Sequence, residues 1–92
     1  MRRALIVDDY EENLLLLRHH LSSHGFAVVM AHNGQEALEL ARSELPDIVI
    51  SDILMPVMDG FSFCSEWQDD EALRSVPFVF YSATYTEKED QE

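Results

Sequence analysis

Residues 48–60 read IVISDILMPVMDG, and the fold turns on how this stretch is read. The unbroken apolar run Ile48-Val49-Ile50 leads almost at once into Asp52, and a second aspartate follows at Asp59. A short β-branched run flanked by polar residues suits a strand covered on both faces, as in a parallel sheet. A carboxylate at the end of such a strand is costly to desolvate unless it is partnered or does chemistry.

Three other runs have the same character: ALIV at 4–7, FAVVMA at 26–31 and FVFY at 78–81. Helical segments separate them. The first, from about 10 to 24, is closed by Gly25 as a C′ glycine. The second opens with Asn33 as N-cap and Glu36 three positions on, a capping box, and stops before Pro46. The third opens at Asp59-Gly60 and carries Phe63 and Trp67 on one face. The stretch DDEALRSVP at 69–77 is expected to be loop or one loose turn. The order β-α-β-α-β-α-β predicts an α/β domain with a doubly wound parallel sheet and right-handed crossovers.

In such sheets the working site lies outside the carboxyl ends of the strands. The first strand ends in Asp8-Asp9, the third in Asp52 and the fourth in Ser82. If the first and third strands are neighbours, three carboxylates and a hydroxyl meet on one rim. Carboxylates so close repel one another, so either some stay protonated or a cation neutralises them. All candidate ligands are hard oxygens, which selects Mg²⁺ or Mn²⁺ over zinc. Mg²⁺ welcomes phosphate oxygens, and a carboxylate can act as the nucleophile that forms an aspartyl-phosphate.

The 92 residues make one small domain with a formal net charge of −12. A surface this acidic repels phosphate backbones, so no direct nucleic-acid binding is expected of this segment. It suits a cation or a basic partner. No apolar run approaches the ~20 residues that span a bilayer, so no membrane insertion is expected. The one cysteine, Cys64, has no partner within the chain, and a reducing cytoplasm is the default.

The combination of LIVDD at 5–9, NGQEAL at 33–38, DIVISDILMPVMDG at 47–60 and PFVFYSA at 77–83 resembles the receiver domain of two-component response regulators. The resemblance implies a flavodoxin-like fold with strand order 2-1-3-4-5. It implies Asp52 as phospho-acceptor and Ser82 as switch hydroxyl. Mg²⁺ would be held by Asp8, Asp9, Asp52 and the backbone carbonyl of Leu54. The implied partner is a histidine kinase or phosphotransfer protein, with an output or kinase domain in a longer chain. The family's fifth strand, its lysine and the final helix find no counterpart before Glu92, so residues 1–92 are expected to be a receiver domain incomplete at its C-terminal end. A helix is expected to start at Thr86, with Glu89 as its capping-box partner. The fourth strand would then be an apolar edge, open to homodimer formation.

Two further function classes share these residues. A Mg²⁺-dependent phosphohydrolase could also work through an aspartyl-phosphate, although haloacid-dehalogenase-like phosphatases space their first acids as Asp-x-Asp, whereas Asp8-Asp9 are adjacent. A phosphate-independent interaction module could keep the acids as a relic. The receiver reading makes the chain a switch that phosphorylates itself on aspartate, not an enzyme acting on other molecules.

Other residues are expected to be structural. His20 and His24 have a spacing zinc could use, but no third ligand follows, and they read as partly exposed histidines. Cys64 reads as packing, Asp59 as an N-cap, and Phe26, Phe61, Phe63, Trp67, Phe78 and Phe80 as core and rim. Leu14–Leu17 sweep most of a helix circumference, so at least one must face away from the core. Leu14 is expected to be that residue, and a docking point for a partner helix.

Overall fold

The computed structural model describes residues 2–53 and 58–81. The expected alternation is present: β1 (Arg3–Val7), α1 (Glu11–Ser22), β2 (Ala27–Ala31), α2 (Gly34–Ser43), β3 (Ile48–Asp52), α3 (Gly60–Asp69) and β4 (Phe78–Tyr81). All pairings are parallel, in the order β2-β1-β3-β4. This is the doubly wound, flavodoxin-like α/β arrangement. Because the chain reverses direction across the sheet after β2, right-handed crossovers place α1 on one face and α2 with α3 on the other. Consistently, α1 packs on β1 and β2, while α2 and α3 touch each other. Leu54, Ser82, Thr86 and Glu89 lie outside the described residues.

Strand alternation divides the apolar residues between the two faces. Leu5, Val7 and Val49 face α2 and α3, where they join Ala37, Leu38, Phe63 and Trp67 in the main core. Phe63, Trp67 and Phe78 meet edge to face, with centroids 5.1–5.8 Å apart, the geometry that aromatic quadrupoles favour. The segment between α3 and β4 forms turns, as expected. There the Asp70 carboxylate accepts from the backbone N–H groups of Ala72 and Leu73 at 2.9 and 3.2 Å, and Leu73 and Val76 are tucked into the core.

The leucine run corrects one expectation. Leu14 is fully buried, and Leu16, 71% exposed, is the residue turned to solvent, with Leu15 also exposed at 42%. Helix α1 begins at Glu11, so its inward stripe falls on Leu14, with Leu17 and Leu21 half-buried one and two turns on. The docking role suggested for Leu14 falls with its burial. Gly25 adopts φ +90°, as a left-handed glycine should. It stands two residues beyond the Ser23 cap, not directly after it.

Asn33 caps α2 as expected, its Oδ1 accepting from the Glu36 N–H at 2.8 Å. The reciprocal arm of the box lands one residue early: Glu36 Oε1 accepts from the His32 N–H at 3.3 Å and lies 3.2 Å from the His32 ring. His32 is drawn there because its Nε2 also meets Glu11 on α1 at 2.9 Å. The ring thus ties the end of β2 to the starts of two helices.

Gly60 fixes how closely α3 approaches β3. Its N–H donates to the Ile53 carbonyl at 2.7 Å. A methyl group there would sit 2.7 Å from Ile53 Cα and 2.8 Å from the Asp52 carbonyl oxygen, both rigid backbone. Gly60→Ala is therefore expected to destabilise the fold by about 2 kcal/mol, despite the better helix propensity of alanine. Urea unfolding at an unchanged m-value checks this, and a midpoint equal to wild type would show that the β3–α3 junction yields.

The pairing with Glu11 and Glu36 holds the His32 imidazolium above its ordinary pKa. Its stabilisation is then fully present below the unfolded value of 6.5 and is lost as pH rises through the folded value. Both carboxylates are well exposed, so the contribution is only about 0.5 kcal/mol. The stability gap between wild type and His32→Gln is expected to be wider at pH 5.5 than at pH 8.5. A gap independent of pH would remove the charged pairing.

Candidate functional site

The site is built by register. Val7 pairs with Ser51 in β1–β3, so the next residues, Asp8 and Asp52, stand side by side at the strand ends. Asp52 in turn pairs with Tyr81 of β4. Registered residues of parallel strands share a face, so Asp8, Asp52 and Tyr81 form one row across three strands. Asp9, the first residue past this row, completes the rim. Carboxylate oxygens of Asp8, Asp9 and Asp52 lie within 4.8 Å of one another, the one such group of metal-ligating side chains among the described residues. The sequence expectation that these three acids converge is met.

Their environments differ. Asp8 and Asp52 are buried at 0% and 2% exposure, whereas Asp9 is exposed. Asp8 sits in a nearly complete shell of donors. The Tyr10 N–H donates to its Oδ1 at 2.9 Å, and Asn13 Nδ2 donates to its Oδ2 at 3.0 Å. The Tyr81 hydroxyl donates to the same Oδ2. Asp52 Oδ1 accepts from the Ile53 N–H at 2.9 Å, and the neighbouring Ser51 hydroxyl donates to the Asp52 carbonyl at 2.9 Å. Partial desolvation raises the Asp9 carboxyl above the ordinary aspartate range, and the neighbouring Asp8 raises it further. Tyr81 is held well above the usual tyrosine range, first by burial and then by Asp8, with smaller pushes from Asp52 and Asp9. It therefore stays protonated and remains a donor.

This donor set fits a small, hard cation: three carboxylates at one mouth, with no thiolate or imidazole among them. His20 on α1 and His24 just beyond it are both exposed, their rings tilted with centroids 4.9 Å apart, and they join no such group among the described residues. Asp59 is the expected N-cap, its carboxylate accepting from the Ser62 N–H at 2.9 Å. Cys64 is half-buried, with its thiol pushed up by desolvation. Leu54 and Ser82, candidates from the sequence, lie outside the described residues.

Sequence reasoning missed Tyr81. Phe78 and Phe80 were read as core and rim and Tyr81 only as part of the strand, although alternation carried a signal. Phe78 packs on the α2–α3 face, so Tyr81, three residues on, must point to the opposite face, where Asp8 and Asp52 lie.

The pattern of the response regulator receiver domain family matches residues 4–92. The chain is 42% identical over 81 residues to the response regulator PleD of Caulobacter vibrioides, covering 88% of this chain and 18% of PleD. It is 34% identical over 91 residues to the polar-differentiation response regulator DivK of Brucella anthropi, covering 99% of this chain and 73% of DivK. Among solved structures, it matches the receiver domain of the sensor histidine kinase PA1611 from Pseudomonas aeruginosa, which was crystallised with a magnesium ion coordinated in its active site cleft. The TM-score is 0.85 at 26% identity, over 99% of this chain and 75% of that one. With its row of strand-end acids on a parallel sheet of order β2-β1-β3-β4, this chain is a member of the response regulator receiver domain family.

Proposed function

We propose that Asp52 accepts a phosphoryl group from a phosphohistidine donor, with Mg²⁺ at the rim, and that the chain works as a switch in two-component signalling. The observation that carries this reading is the convergence of Asp8, Asp9 and Asp52 within 4.8 Å at the end of an interior strand. Asp52 is held at the mouth by β3, and its Oδ1 is oriented by the Ile53 N–H. A carboxylate oxygen of Asp52 attacks phosphorus while the P–N bond of the donor breaks. The departing imidazole nitrogen keeps the bonding electrons and takes a proton, and Asp52 becomes an acyl phosphate.

Asp9 and Asp52 would hold the metal directly, and Asp8 would act through water and charge. When bound, Mg²⁺ neutralises the incoming phosphoryl oxygens. The magnesium in the PA1611 relative supports this assignment. Ser82, one residue past Tyr81, is the candidate hydroxyl for the new phosphoryl group, and the Leu54 carbonyl is a further candidate metal ligand. The donor is a histidine kinase or phosphotransfer protein, in keeping with the partners of this family. No helix among the described residues is long and apolar enough to cross a membrane. Such donors act in the cytoplasm, the setting that also suits the unpaired Cys64.

Incubation with acetyl phosphate and Mg²⁺ is expected to add one hydroxylamine-sensitive phosphoryl group, and Asp52→Asn should abolish it while the fold persists. Equal labelling of the two proteins would exclude Asp52, and steady turnover of phosphate esters would favour a phosphohydrolase. Removing the Asp9 carboxylate should move two quantities in opposite directions. Without metal, Asp9→Ala should gain about 0.5 kcal/mol, because repulsion is relieved at an exposed position. Its Mg²⁺ affinity should fall at least about tenfold. Calorimetric titration and urea unfolding of the same preparations check this, and an Asp9→Ala protein that is less stable yet binds Mg²⁺ normally would count against the site.

A further inference from the structure

We propose that Tyr81 is a positioning residue that sets the metal preference of the acidic rim. By capping Oδ2 of Asp8, it denies a cation the second oxygen that bidentate coordination by that carboxylate needs. The inference rests on the metal-binding part of the function proposed above.

Asp8 is the most enclosed of the three acids, with no exposed surface. A carboxylate oxygen offers about two acceptor directions. On Oδ2 both are taken, one by Asn13 Nδ2 at 3.0 Å and one by the Tyr81 hydroxyl. The Tyr10 N–H takes one direction on Oδ1 at 2.9 Å. Two of these three donors are local to β1 and α1, at sequence separations of 2 and 5. Tyr81 is 73 residues away and reaches Asp8 from β4, across β3. It is half-buried, its backbone is held by the pairing with Asp52, and its carbonyl accepts from the Ile53 N–H at 3.3 Å. The backbone that carries the phenol is thus fixed by the sheet.

The consequence is that Asp8 can offer a cation at most one oxygen, Oδ1. Mg²⁺ suits that arrangement, because it keeps several waters and takes one or two carboxylates. Ca²⁺ is larger, takes about 6–8 oxygens and gains more from each further carboxylate. Removing the Tyr81 hydroxyl uncovers an acceptor direction on Oδ2 and lets Asp8 offer both oxygens, the bidentate mode that Ca²⁺ accepts. The phenol therefore excludes the wrong cation by occupying a ligand, without touching the metal.

The test is calorimetric titration of Mg²⁺ and Ca²⁺ into the full chain as wild type, Tyr81→Phe, Asp8→Asn and the double variant. In Tyr81→Phe the affinity for Ca²⁺ relative to Mg²⁺ is expected to rise about tenfold. In the Asp8→Asn background the same change should have no effect on that ratio, because the oxygen it would free no longer belongs to a carboxylate. Asn13→Ala removes the other donor from the same oxygen and should move the ratio in the same direction, which keeps the test decisive if Tyr81→Phe folds poorly. A wild type that binds Mg²⁺, with the ratio unchanged in both Tyr81→Phe and Asn13→Ala, would overturn the role of Tyr81 and leave the metal reading standing. An equal shift with and without the Asp8 carboxylate would also overturn it. A wild type that binds neither cation overturns the metal reading and this inference together.

Discussion

The mutual repulsion of three carboxylates held within 4.8 Å is the constraint around which the molecule is arranged. The sheet creates the problem by pairing β1 with β3 so that two aspartates come side by side. Chain connectivity adds Asp9 as the next residue of the first strand's exit. A fold with no use for such a cluster would separate these acids or expose them. Here two are buried, so the surrounding groups must answer for them.

The answer differs at each acid. Asp8 is surrounded by donors from the β1–α1 turn, from α1 and from β4. Asp52 receives a backbone N–H from the residue after it, at the junction that Gly60 allows to close. Asp9 is left toward solvent with its carboxyl titrating high. Hydrogen bonding, local backbone and water thus share the burden. The rest of the fold, with its two helical layers and aromatic core, fixes the three strand ends relative to one another.

The alternation of runs made the architecture legible, because each strand is short, apolar and bounded by a recognisable cap or breaker. Asn33, Asp59 and the position before Pro46 mark helix limits through local chemistry, and local chemistry is what a sequence displays. The acids were legible for the same reason: strand ends in a parallel sheet are predictable working positions. What was not legible depended on phase or on distance. The choice among Leu14–Leu17 rests on where α1 begins, and an error of one residue rotates the helix by ~100°. The second arm of the α2 box moved to His32 because Glu11, 21 residues earlier, competes for the ring. Tyr81 required both the strand order and the β3–β4 register, neither of which a single run reveals.

The chain's single tryptophan stands where an optical consequence follows. Trp67 is fully buried, and its indole N–H has no hydrogen-bond acceptor among the described residues. An indole in so apolar a setting emits toward the blue. Its ring meets Phe78 edge-on at 5.8 Å, and Phe78 begins the strand that ends at Tyr81. Any displacement of β4 that starts at the rim is therefore carried along a few residues of backbone into contact with a fluorophore on the opposite face of the sheet. The rim and the tryptophan are thus joined through one strand, and the colour of the emission reports on how β4 sits against α3.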